Sequence, residues 1–261
     1  MASVRFVGLG LRGLAAMGVF LLAACGTLQA PPEAPANDAE LATSPWALAS
    51  GAGARPGMWK HQEFPGKRAS AYRSARVDGR DVVQVDAVSS ASMLRNKVRV
   101  EPTDFGQLKF SWRIPALITG ADLTDRQHSD SPVRVVLAFE GDRSKFSARD
   151  GMLSELAHAL TGEPMPYATL MYVWCNHSAP GTVLTNTRTS RIRKLVLESG
   201  PAKLNRWLDY EHDVRADFIK VFGEEPGALV SIGIMTDTDN TETSTTAWYG
   251  PVRHVKTGAA P

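Results

Sequence analysis

Cysteine is almost missing from this chain: Cys25 and Cys175 are the only two in 261 residues. So low a count excludes a disulfide-stapled scaffold and a thiolate zinc site. Long apolar runs are short as well. The longest, "GLAAMGVFLLAA" near the N-terminus, falls below the ~20 apolar residues that a spanning helix needs. There is no His-Glu-x-x-His, no Gly-x-Ser-x-Gly and no phosphate-cradling glycine loop, so three common catalytic signatures are absent. No repeat of 20–50 residues appears, which argues against solenoids and propellers. Charge is nearly balanced, with 29 Lys plus Arg against 27 Asp plus Glu. The excess equals Arg5 and Arg12 of the leader, and no basic tract stands out, which argues against nucleic acid as a partner.

The leader itself is informative. Arg5 and Arg12 flank an apolar segment of signal-peptide length, followed at once by "LLAACG". Leu22, Ala23, Ala24 and Cys25 resemble the bacterial lipobox, which implies cleavage before Cys25 and lipidation of its thiol. Gly26, rather than Asp, follows the cysteine. By the sorting rule of lipoproteins this implies the outer membrane, with the lipid bilayer as a partner through the acylated terminus. Cys175 would then be alone. Residues 1–24 are therefore expected to be a signal peptide, 25–55 an Ala/Pro-rich tether, 56–256 the folded domain and 257–261 a frayed tail.

Within the folded part, period-two patterns dominate. "LKFSWRI" alternates Phe110, Trp112 and Ile114 with Lys109, Ser111 and Arg113. "VRVVLAFEG" sets Val133, Val135, Leu137 and Phe139 against Arg134, Val136, Ala138 and Glu140. "ATLMYVWCN" divides into Met171, Val173 and Cys175 on one face and Leu170, Tyr172, Trp174 and Asn176 on the other. Asp78-Gly79 is a hairpin signal. Two helical segments are expected. "MLSELAHALTG" has Met152, Leu156, Ala159 and Leu160 at helical spacing, "RADFIKVFG" has Phe218, Val221 and Phe222, and Gly162 and Gly223 stand as C-caps. Many short strands with turns between them predict a mainly β fold, an antiparallel β-sandwich of jelly-roll type with two short peripheral helices.

The segments "SASMLR", "KFSWRI", "DSPVRVVLAFEG", "MYVWCN", "WLDYEHDVRADF" and "AWYGPVR" resemble the bacterial family called domain of unknown function 3047, from about Trp59 to about Val255. The resemblance implies an envelope β-sandwich domain with no assigned activity. The strand pattern is also similar in architecture to jelly-roll carbohydrate-binding modules.

Candidate sites follow from chemistry. In "TDTDNT", Asp237, Asp239 and Asn240 supply hard oxygen ligands suited to Ca, although EF-hand spacing fails. The same residues suit a plain turn or a ligand-contacting loop. On "WLDYEHDV", an extended backbone places Trp207 beside Asp209, Glu211 and Asp213, an arrangement that suits a sugar, or else forms a solvated acidic face. Trp174, Asn176 and Arg134 complete the ligand-binding candidates. Cys175, in series with Met171 and Val173, is expected to pack as a small hydrophobe. The leading expectation is a non-catalytic module that binds a glycan on one sheet face. The alternatives are a glycan-cleaving hydrolase, with Glu140 or Asp213 opposite Asp237, and a structural or protein-partner module of the outer membrane.

Overall fold

The computed structural model describes residues 38–50 and 59–256, all inside one compact unit of residues 34–261. The segments expected to be a signal peptide and a lipobox, with Cys25, and the expected 257–261 tail lie outside the described residues. The strands are β1 (Trp59–Glu63), β2 (Ala71–Val77), β3 (Arg80–Val88), β4 (Ala91–Val100), β5 (Gly106–Arg113), β6 (Ser131–Phe139) and β7 (Ala168–Cys175). They continue with β8 (Val183–Thr185), β9 (Ile192–Ser199), β10 (Leu208–Asp213), β11 (Leu229–Asp237), β12 (Ser244–Tyr249) and β13 (Arg253–Lys256).

Two sheets face each other in a sandwich of jelly-roll type. The larger runs β1-β4-β11-β6-β7-β9-β8, and the smaller runs β10-β5-β12-β3-β2 with β13 also paired to β5. Alternating side chains from both sheets fill the space between them. Val133, Val135, Leu137 and Phe139 come from β6, Leu170, Tyr172 and Trp174 from β7, and Phe110 and Trp112 from β5. Phe110 and Tyr172 stack across the gap with centroids 5.6 Å apart. The polar tips of core tyrosines are satisfied as burial demands: the Tyr249 hydroxyl donates to the Met235 carbonyl at 2.6 Å, and that of Tyr72 to the Ser92 carbonyl at 2.7 Å. The turn at Asp78-Gly79 forms as expected, both residues having positive φ, 49° and 76°.

The structure departs from the sequence reading in three places. First, β7 and β9 pair in parallel, because the short β8 runs back along β9 and returns the chain in the direction of β7. Second, part of the expected tether is folded. Residues 38–50 form α1 (Asp38–Thr43) and α2 (Pro45–Ala49), and Leu41 and Trp46 join the core. Ser44 caps α2 by accepting from the Ala47 N–H, and Pro45 starts the helix where its missing N–H costs nothing. Two apolar anchors thus overcome a composition that is otherwise poor in buried surface. Third, α3 (Ala148–Thr161) turns a polar side inward.

In α3, Asp150 and Ser154 are buried, bonded to Thr189 and Arg143 respectively, while Met152, Leu156 and Leu160 are 66, 53 and 60% exposed. Its C-cap is Gly162 at φ 75°, and α4 (Val214–Phe222) ends on Gly223 in the same conformation at 72°, both as expected.

Candidate ligand groove

Because side chains alternate along a strand, every residue of the larger sheet that does not face the core faces outward. That outer face carries Arg95, Lys97 and Arg99 from β4, Met235 and Asp237 from β11, Arg134 from β6, Met171 from β7 and Lys194 from β9. The register places Met235 opposite Arg134 and Met171 opposite Lys194. Three hollows of about 840, 800 and 470 Å³ lie on this face and share walls. Arg95, Lys97 and Glu163 line both the first and the second, while Phe64, Pro65 and Lys67 line both the first and the third. Together they form a polar groove.

The third hollow is the deepest chemically. Arg134, Lys194 and Asp237 on its walls are only 4, 2 and 5% exposed. Arg134 grips Asp237 through two bonds, Nε to Oδ1 at 3.1 Å and Nη2 to Oδ2 at 2.9 Å, and its Nη2 also donates to the Ser129 carbonyl at 2.7 Å. The Ser131 backbone N–H donates to Asp237 Oδ1 as well, at 2.9 Å. Burial pushes the Asp237 carboxyl up, to about 6, against the opposing pull of Arg134. Lys194 has no carboxylate in bonding distance among the described residues. Its Nζ donates to the Ser129 hydroxyl at 2.8 Å and the Leu123 carbonyl at 3.3 Å. Burial and the neighbouring Arg134 lower its pKa to about 7.

The carboxylates Asp130, Asp237 and Asp239 gather here, with one oxygen of each within 4.8 Å of the others. Asp237 and Asp239 were expected as metal ligands; Asp130 was not. The arrangement fits Ca poorly, because most of the oxygens already have donors and two of the carboxylates are paired with cations. Arg134 neutralises Asp237 and Lys67 neutralises Asp239. Asp130 accepts from the backbone N–H groups of Asn240 and Thr241 and from the Thr241 hydroxyl. Asn240 directs its side-chain amide at the Arg126 carbonyl, 2.9 Å away. The "TDTDNT" segment therefore leads from the end of β11 into a loop pinned by Asp130, and three of its residues, Asp237, Asp239 and Asn240, also border the hollow.

The structure divides the expected ligand set. Arg134 lies in the groove with Asp237, Asp239 and Asn240. Trp174 does not: it points into the core, 1% exposed, and its Nε1 donates to the Gly200 carbonyl at 3.1 Å. Asn176 is spent on the Ile118 carbonyl at 2.7 Å, holding a loop. Trp207 belongs to the other sheet's outer side, with Nε1 bonded to Asp78 at 3.1 Å and the Arg80 guanidinium 5.1 Å above its ring. Asp213 caps α4 by accepting from the Ala216 N–H at 2.9 Å. The solvated acidic face thus describes "WLDYEHDV", whose Asp209 and Glu211 pair with Arg80 and Lys109. Cys175 packs with Val173, Val196 and Leu123, as a small hydrophobe should. The carboxylate pairs weighed for hydrolysis do not form either: Glu140 is held by Arg99, Asp213 by its helix and Asp237 by Arg134.

A family model described as a protein of unknown function (DUF3047) matches residues 57–253. The chain belongs to this family. No curated protein matches it. Among solved structures, the DUF3047 chain is similar to an endoglucanase from Rhodothermus marinus at 8% identity, over 77% of this chain and 97% of that one, with a TM-score of 0.43. It is also similar to the xyloglucanase domain of the Sinorhizobium fredii effector NopAA, solved with cellobiose, at 11% identity, 76% and 92% coverage and a TM-score of 0.36. A carbohydrate-binding module specific for non-crystalline cellulose matches at 10% identity, with 76% and 88% coverage and a TM-score of 0.34. Likeness at this level carries no argument about activity, which must come from the groove.

Lys194 and Asp130 escaped the sequence reading. A signal for Lys194 exists in "IRKLVLES", where a lysine alternates with Val196 inside an apolar run and so occupies an outward strand position. Asp130, in "QHSDSP", carries no such signal.

Proposed function

We propose that the DUF3047 domain is a non-catalytic glycan-binding module that takes its ligand in the groove on the outer face of the seven-stranded sheet. It would be held at the outer membrane by a lipid on Cys25. The observation that supports this most is the groove itself: three connected hollows lined by side chains that donate and accept in adjacent pairs. Arg95 beside Glu163, with nitrogen and oxygen 2.8 Å apart, is one such pair, and paired donors and acceptors suit vicinal hydroxyls.

Full-length protein in detergent micelles, screened on a glycan array, tests this reading. Arg95→Ala combined with Lys97→Ala should abolish binding. Arg80→Ala combined with Lys109→Ala, on the opposite side of the sandwich, should leave it intact. Equal loss from both pairs, or release of reducing sugar by the wild type, would contradict a binding groove.

A further inference from the structure

Lys194 is the least explained charge in the molecule. A lysine at 2% exposure is normally paired with a carboxylate, since burying a cation alone is costly. Here its bonded neighbours are two neutral oxygens, and an ammonium has three protons to donate. One N–H is left over, on a side chain that lines the third hollow. Arg134 repeats the pattern. Among the described residues its Nη1 reaches only the Met171 sulfur, a weak acceptor, at 3.7 Å. At the rim of the same hollow Arg126 and Arg188 are exposed, and neither has an ion pair among the described residues. Two buried cations with spare donors and two unpaired rim arginines therefore converge on one cavity of about 470 Å³. Asp237 and Asp239 also border it, but each is already paired with a cation, Arg134 and Lys67 respectively.

We propose that the third hollow is an anion subsite, in which Lys194 and Arg134 at the floor and Arg126 and Arg188 at the rim receive an oxyanion carried on the sugar chain. The inference rests on the glycan reading and narrows it to acidic glycans, whose charge is a carboxylate or a phosphate. Both groups present acceptor oxygens in the spacing that lysine and arginine donors match. A neutral glycan would leave the spare donors unmatched, and unmatched buried donors discriminate strongly against a ligand that lacks the partner group.

The test is calorimetric titration of the full-length protein in detergent micelles, at low salt, with three probes: oligogalacturonate, the same oligomer fully methyl-esterified, and inorganic phosphate. The acid should bind at least about tenfold tighter than its ester, as expected for a charge-assisted bond. Phosphate should compete with the acid. Lys194→Met, close in shape to lysine, should bring acid binding down to that of the ester. Arg126→Gln with Arg188→Gln, at exposed positions that cannot unfold the domain, should weaken the acid alone. Equal affinity for acid and ester would overturn the anion subsite while leaving the groove a glycan site. Phosphate binding lost in Lys194→Met, without binding of either oligomer, would support the subsite and overturn the glycan reading. No heat from any of the three probes would overturn both.

Discussion

The two outward faces of the sandwich come from the same alternation of side chains, yet they handle charge in opposite ways. On the smaller sheet, cations meet carboxylates one to one: Arg73 with Asp86 at 2.8 Å, Arg80 with Asp209 at 2.6 Å, Arg113 with Asp78 at 2.7 Å and Lys109 with Glu211 at 3.0 Å. Arg80 and Arg113 also lie over the rings of Trp207 and Trp248, at 5.1 and 5.4 Å. That face is largely self-compensated, with Arg253 of β13 an exposed cation without an ion pair among the described residues, and it is open to water. The groove on the larger sheet is lined by ten lysines and arginines but six carboxylates, and two of its cations are buried. Surface pairs of the first kind contribute little to stability and leave nothing for a ligand to complete. A buried cation without a carboxylate partner among the described residues, as at Lys194, weakens the fold and is the kind of feature that marks a candidate site.

This contrast can be broken most severely at Asp237. Asp237→Ala strips Arg134 of its carboxylate and should cost about 3–5 kcal/mol in chemical denaturation, as loss of one partner of a buried pair does. A loss below about 1 kcal/mol, the range of a surface pair, would show that water reaches Arg134 freely.

A second, smaller effect separates the faces by pH. The pKa of Lys194 is lowered from 10.5 to about 7 by burial and by Arg134, against the opposing fields of Asp237, Cys175 and Asp122. Between these values the unfolded chain binds the proton that the folded chain has released, so stability should rise with pH from about 7 to about 10. Lys194→Met should lack that rise and should be at least as stable as wild type at pH 7. Parallel pH profiles for the two proteins would contradict a desolvated lysine.

Asp213→Ala comes next. It removes the α4 cap and should cost ~1 kcal/mol without changing ligand binding, because that carboxylate serves the helix and not a site. Smallest of all, Asp209→Ala on the compensated face should shift stability by less than about 1 kcal/mol and binding not at all. Reduced glycan affinity in either variant would move the site to the wrong side of the sandwich.

Much of the fold was readable because it is written in local rules. Period-two alternation marked β5, β6 and β7, Gly162 and Gly223 marked two helix ends, and Asp78-Gly79 marked a hairpin. The site was less readable for a physical reason. Alternation separates the two faces of a strand but does not say which one meets the opposite sheet. On β7 both faces are apolar, so Trp174 was assigned outward when it is core and Met171 is the groove residue. Arg134 and the Asp237 loop were picked out as candidates because a charge in an otherwise apolar strand, or two acids in a tight turn, is conspicuous alone. Lys194 and Asp130 enter the site only through long-range pairing, the parallel β7–β9 ladder and a loop lying against residues more than a hundred positions away.

The most direct measurement is site-resolved. Methionine methyl groups labelled with ¹³C report from inside and outside the groove: Met171 and Met235 line the cation-rich hollow, and Met152 projects from α3 into solvent. On titration of the full-length protein with oligogalacturonate, the Met171 and Met235 resonances should shift together and saturably while Met152 stays fixed. Movement of Met152 with the other two unchanged would contradict the assignment of the larger sheet's outer face as the binding face.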